Sequence, residues 1–544
     1  MISKTNARPW WEASVIYQIY PRSFKDSNGD GIGDLRGIAE KLPYLADTLG
    51  VDTIWISPFF TSPMKDFGYD VADFQDCDPI FGTLAEAERL IESIHDRGMR
   101  VIFDYVSNHS SDRHEWFLDS RSSRESAKRD WYFWRDPGPD GGPPNNWLSV
   151  FGGPAWTFDE ATGQYYLHSF LASQPDLNWR NPELREAMHG VLKFWMDRGV
   201  DGFRIDAAHF VGKDEELRDN PPAPPGSLHM HRPMGEYDHQ LHVYDKGTAF
   251  AHEVYQDIRA FVDRHSSPGQ ERLMIGEMHI YDWDEWASYF GPTLNEFHLP
   301  YNFGLLKAAW NAGEIRSLIE TIESVVPADA WPNWVIGNHD EQRVASRLGP
   351  AGARAAMTLL LTLRGTPTIY YGDELGMPDA VVPAERLQDP WGLQMPELNI
   401  SRDPQRSPML WEVVENGAFT DEDAESWLPV VDASKYSVEA QIDDPDSMLC
   451  LTRELLALRK QRPSLQTGSL RLLDGLPESC LGFLREEAGE RTVVLVSFSD
   501  AILDISLDLG DAAKVLLTTV ADPSDAFQDG NFRLRPSEAI VAAL

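Results

Sequence analysis

Cysteine is nearly missing: Cys77, Cys450 and Cys480 are the only three among 544 residues. Three scattered thiols build neither a disulfide framework nor a cysteine-ligated zinc site. Basic residues are scarce as well. Lysine and arginine total 48 against 86 aspartates and glutamates, a formal net charge of −38. That balance excludes a nucleic-acid partner, which needs clustered basic side chains. It also disfavours anionic membranes and anionic substrates, and reads as a solvated acidic surface. No apolar run is long enough to span a bilayer. The opening "MISKTNARPWWEAS" has no apolar core of a secretory signal. These absences predict a reduced, cytoplasmic protein with no membrane partner, as monomer or homodimer.

Core-forming residues are abundant. Hydrophobic residues make up 42%, including 18 tryptophans and 25 phenylalanines, so the chain is globular and too long for one ordinary domain. Short apolar runs alternate with helical patterns. They are "VIYQIYPRSF" from Val15, "DTIWISPFF" from Asp52, "MRVIFDYVSNHS" from Met99, "GVDGFRIDAAHF" up to Phe210, "RLMIGEMH", "NEFHLPYNF", "NWVIGNHDEQ" and "TPTIYYGDELG". Eight alternating units predict a parallel, closed (β/α)8 barrel, a TIM barrel of the α/β class. The rhythm breaks twice. Residues 105–175, rich in Trp, Gly and Pro, read as a loop-rich domain inserted after strand three. Residues 463–544 turn all-strand and read as a C-terminal β-sandwich. The barrel then comprises 1–104 and 176–462.

Carboxylates end four of the predicted strands: Asp104, Asp206, Glu277 and Asp340. One acid at a strand end is usually a cap for the next helix. Four at one barrel mouth, with Arg204, His109 and His339 beside them, exceed what capping explains. Arg204 and Asp206 are two apart in a strand, so they share a face. Crowded carboxylates split their proton affinities. That split suits glycoside hydrolysis, where one carboxylate attacks and another protonates the leaving oxygen.

The strings "DYVSNH" (104–109), "GFRIDAAHF" (202–210), "IGEM" (275–278) and "GNHDEQ" (337–342), in that order, resemble the α-amylase family, glycoside hydrolase family 13. "QPDLNW" from Gln174 resembles its α-glucosidase and oligo-1,6-glucosidase branch. The resemblance implies Asp206 as nucleophile, kept ionised by Arg204, Glu277 as acid and base, and Asp340 as the transition-state stabiliser. It implies that His109 and His339 bind sugar hydroxyls, and that Tyr69, beside Asp66, lies under the glucose. It places Arg406 at the terminal glucose, closing the pocket with Asp66 for exo action. Phe151 and Phe170 are candidate rim aromatics, with core packing as the other reading.

"DSNGDGIGD" places Asp26, Asn28, Asp30, the Ile32 carbonyl and Asp34 at EF-hand-like spacing for Ca2+ or Mg2+, without the closing glutamate. The resemblance makes this a structural metal loop and implies no organic cofactor. His229, His231, His239 and His242 share a loop but fit no zinc spacing, and read as solvated. The expected activity is a retaining, exo-acting α-glucosidase on short oligosaccharides. The resemblance implies that alanine rather than valine at position 207, next to the nucleophile, goes with α-1,4 links such as maltose, with transglucosylation as a side reaction. The alternatives are an oligo-1,6-glucosidase or a sucrose-acting glucosyltransferase or isomerase. A non-catalytic transporter-associated subunit is disfavoured by the complete carboxylate set.

Overall fold

The computed structural model describes residues 8–227, 232–507, 513–520, 526–528 and 531–544. The opening residues 1–7, and His229 and His231 of the histidine loop, lie outside the described residues. Eight parallel strands form one sheet: β1 (Ile16–Ile19), β2 (Thr53–Ile56), β3 (Arg100–Val106), β4 (Gly202–Asp206), β5 (Leu273–Gly276), β6 (Leu299–Pro300), β7 (Asn333–Val335) and β8 (Thr366–Tyr370). Their order is β6-β5-β4-β3-β2-β1-β8-β7, a barrel opened only between β6 and β7. Pro300 has no N–H to give a ladder there. Asn333 spans the seam instead: its amide donates to the Pro300 carbonyl, and its Oδ1 accepts from the Asn302 backbone at 3.0 Å.

Register sets the site. Asp104 on β3 is the direct partner of Arg204 on β4, and Arg204 is the partner of Ile275 on β5. Side chains alternate across a strand, so Phe203 and Ile205 pack into the core while Arg204 and Asp206 share the opposite face. The helices that return the chain carry explicit start signals. Helix Leu84–Asp96 opens on a capping box between Thr83 and Glu86. Helix Pro182–Met196, which delivers β4, opens with Asn181 as cap and proline at its first position.

Between β3 and helix Pro182–Met196 the chain leaves the barrel. It forms an antiparallel sheet of Trp134–Arg135, Gln164–Leu167 and Trp156–Asp159. Past helix Met448–Gln461, a five-stranded and a three-stranded antiparallel sheet share a core that includes Val493, Leu495, Ile505, Phe532 and Ile540, which makes a sandwich. Arg459 and Arg485, both fully buried, join this sandwich to the barrel by donating to the carbonyls of Leu361, Gly365, Thr362 and Leu465. Among the described residues, no helix is long and apolar enough to cross a membrane.

Candidate active site

Arg204 is 1% exposed and sits at the floor of the barrel mouth. Its Nη1 lies 2.6 Å from Asp104 Oδ1 and 2.8 Å from Asp206 Oδ1, and its Nη2 lies 2.7 Å from Glu277 Oε1. One cation thus ties the ends of β3, β4 and β5 together. The Trp55 indole donates to the second oxygen of Asp104 at 2.8 Å, and the Trp55 and Tyr69 rings flank the guanidinium at 5.1 and 5.7 Å. Carboxylates that stood apart in sequence therefore converge because the register aligns their strands and one arginine offsets their repulsion.

The electrostatics differ from the simple expectation for Asp206. Burial, with Glu277, Asp104 and Asp340 nearby, pushes Asp206 well above the usual carboxylate range, and Arg204 only opposes this. Arg204 does not hold Asp206 ionised by itself, because it is shared among three acids. Burial raises Asp104 to about 6 against the same cation. Asp340 goes the other way. Burial would raise it, but His339, Arg402 and Arg406 draw it well below the usual range. Arg402 Nη1 lies 3.1 Å and Arg406 Nη2 2.9 Å from Asp340 Oδ1. The surroundings of Asp206 and Asp340 thus push their proton affinities in opposite directions, the kind of split that acid and base roles use.

Of the residues singled out in the sequence, Asp66, Tyr69, His109, Phe151, Phe170, Asp206, Glu277 and Asp340 line one pocket. Arg204, His339 and Arg406 lie behind its wall. His339 bonds through Nε2 to Tyr69 Oη and through Nδ1 to Gln18, both at 2.8 Å, so it orients the tyrosine rather than facing the cavity. The arginine expectation needs correction too. Arg402, not Arg406, lines the pocket. It binds Asp66 Oδ1 at 2.7 Å and grips Asp389 through Nε and Nη2 at 2.9 and 2.7 Å. Arg406 is 0% exposed and anchors the loop by donating to the His339 carbonyl at 2.9 Å.

Burial lowers His109 to about 4, so it is a neutral hydrogen-bonding group. Gln174, from the "QPDLNW" string, reaches Asp66 Oδ2 at 3.1 Å and His109 Nε2 at 3.2 Å. Two residues on, Asp176 takes the Lys213 ammonium at 2.8 Å, and Lys213 also donates to Ser169 at 2.7 Å. This ties the inserted segment to the loop after β4. Ala207 was singled out for its size, yet its backbone is the surprise. It is left-handed (φ 44°, ψ 43°), and its N–H donates to Glu277 Oε2 at 3.0 Å. The sharp turn so formed presents Asp206 to the pocket.

The metal loop is a run of Asx turns. Asp26 accepts from the amides of Asn28, Gly29 and Gly31 and from the Thr420 hydroxyl. Asn28 and Asp30 each accept from an amide two residues on. Asp34 accepts from Ser27 and caps helix Leu35–Glu40 through Gly37. The donors are all oxygen, but the loop's own amides and hydroxyls occupy Asp26 and Asp34. Among the described residues, no three carboxylate, imidazole or thiol groups converge to hold a cation. Carboxylates alone therefore do not assemble the expected Ca2+ or Mg2+ cage here, and Asn28 and the Ile32 carbonyl would have to complete it. The histidine loop also departs from expectation. His239 is exposed, but His242 is buried, with Nδ1 2.5 Å from Asp245 and Nε2 2.8 Å from the Tyr237 carbonyl.

Residues 18–468 match the alpha amylase catalytic domain. A probable alpha-glucosidase of Rhizobium meliloti (strain 1021) is 44% identical, over 91% of this chain and 90% of that one. An oligo-1,6-glucosidase of Parageobacillus thermoglucosidasius is 35% identical, over 98% of this chain and 99% of that one. The solved structure of an alpha-glucosyl transfer enzyme, XgtA, has a TM-score of 0.90 at 40% identity, covering 99% of this chain and 100% of that chain. With its barrel and strand-end carboxylates, the chain belongs to the α-amylase family, glycoside hydrolase family 13.

Proposed function

We propose that this protein is a retaining, exo-acting α-glucosidase that takes short α-glucosides. The observation that carries the reading is the shared guanidinium of Arg204. Asp206 and Glu277 bind neighbouring nitrogens of one group. This supports a carboxyl separation of about 5–5.5 Å, as in retaining enzymes, over the roughly 6.5–9.5 Å of inverting ones. Asp206 attacks the anomeric carbon while Glu277 protonates the departing oxygen. Glu277 then takes a proton from water, which releases glucose from the glucosyl-aspartate. Asp340, held negative by its two arginines, stabilises the positive charge that develops on the ring. Tyr69 lies against the sugar face, and His109 binds a hydroxyl. Asp66 and Arg402 close the pocket behind one glucose, which supports exo action.

Maltose-type α-1,4 links are the preferred substrate in this reading, because Ala207 keeps the space beside the scissile bond small-sided. An apolar cluster with Phe151, Phe210 and Trp391 favours organic acceptors over water at high substrate, which supports a transglucosylation side reaction. The catalytic unit is the barrel of residues 1–104 and 176–462, with 105–175 supplying one pocket wall and 463–544 a supporting sandwich. The test is direct. Early product from maltose should be the α-anomer by proton NMR, and Asp206→Asn should abolish turnover with the fold intact. A β-anomer, or near-normal activity in the variant, refutes the mechanism. A tenfold preference in kcat/KM for isomaltose over maltose, about 1.4 kcal/mol, refutes the linkage.

A further inference from the structure

Beyond Glu277 the pocket wall changes character. His209, on the turn after β4, is 3% exposed; the Glu277 backbone is the hydrogen-bond neighbour of its ring, and no side chain pairs with either nitrogen. Lys246, from the long loop after β4, is partly buried and lines the same pocket as His209. Its ammonium donates to Tyr237 Oη at 3.0 Å and stands 5.0 Å from the Phe210 ring centroid. Its chain neighbour Asp245 is committed to His242. Buried polar groups in folded proteins almost always find partners. An imidazole with a nitrogen left for a ligand, facing the same space as an ammonium with donors to spare, is built for an oxygen-rich ligand. Asp206, Asp340, Asp66 and Arg402 already account for the glucose end.

We propose that His209 and Lys246 recognise the hydroxyl groups of the leaving sugar, and so set the preference for a sugar over an aryl or alkyl aglycone. This rests on the α-glucosidase reading and names the specificity residues of that site. The ammonium donates to one hydroxyl oxygen, and the neutral imidazole pairs with the next, while the Phe210 and Tyr237 rings cover the apolar sugar face. An aryl leaving group offers those nitrogens no ring of hydroxyls.

The experiment compares kcat/KM for maltose and for p-nitrophenyl α-glucoside in the wild type, Lys246→Met and His209→Leu. Each variant should lose about tenfold or more on maltose and change little on the aryl glucoside, because a site built to bind hydroxyls discriminates through them. Equal losses on both substrates, or none, overturn the proposal. A wild type inactive on both α-glucosides would instead overturn the glucosidase reading itself.

A second arm needs no variant. Burial draws the Lys246 ammonium down to about 8, with Asp245, Glu285 and Asp238 opposing and Lys213 assisting; Tyr237 and neutral His209 complete its surroundings. The maltose-to-aryl ratio of the wild type should therefore fall as pH rises through about 8. A flat ratio there overturns the role of Lys246 even if the variants fail to fold.

Discussion

Arg204 shows what one side chain does when its geometry is not replaceable. Its planar fork reaches Asp104, Asp206 and Glu277 at once; a lysine offers a single point of charge on a flexible stem. Arg204→Lys should lower kcat by about 10²–10³, the loss typical of one removed electrostatic donor. The pH profile gives the sharper readout. With less cation beside it, the Asp206 carboxyl holds its proton to higher pH, so the acid limb of kcat/KM should move upward. In the wild type that limb should already stand above the usual aspartate range, since burial raises Asp206. A limb near pH 4 in the wild type, or no displacement in the variant, would count against the shared-cation account.

At the level of elements, strands and their terminal acids were legible, because period-two burial and strand-end polarity are local patterns. What the sequence hid was set by tertiary contacts. Arg402 and Arg406 stand in one string, "SRDPQRSP". Only the fold shows that Asp389, thirteen residues before Arg402, turns Arg402 to the cavity. Alanine is not a turn residue, so nothing announced the left-handed Ala207. The Asp26 loop has the spacing of a cation loop but the hydrogen bonding of a self-capped turn. Asp26→Ala should therefore destabilise the protein by about 1–3 kcal/mol through amides left without an acceptor. Thermal melts should show the same loss with EDTA and with added calcium. A loss that appears only with calcium would mean the loop closes on an ion after all.

For the molecule as a whole, the dominant quantity is its charge of −38. Like charges repel over roughly 30 Å in 0.01 M salt and roughly 3 Å in 1 M salt. The melting temperature should rise between those two conditions as self-repulsion is screened, and a flat or falling trend would argue that the acids are already compensated locally. Against that background the tie between the inserted segment and the barrel stands out. Ser169 of the segment accepts from the ammonium of Lys213, a positive charge that the chain carries covalently and that also meets Asp176 at the segment's edge. A dissolved ion at such a joint comes and goes with its concentration, and a chelator can take it away. An ammonium on the backbone arrives with every copy the ribosome makes. The Lys213 tie at this wall of the pocket is therefore made in every copy without drawing on a dissolved ion.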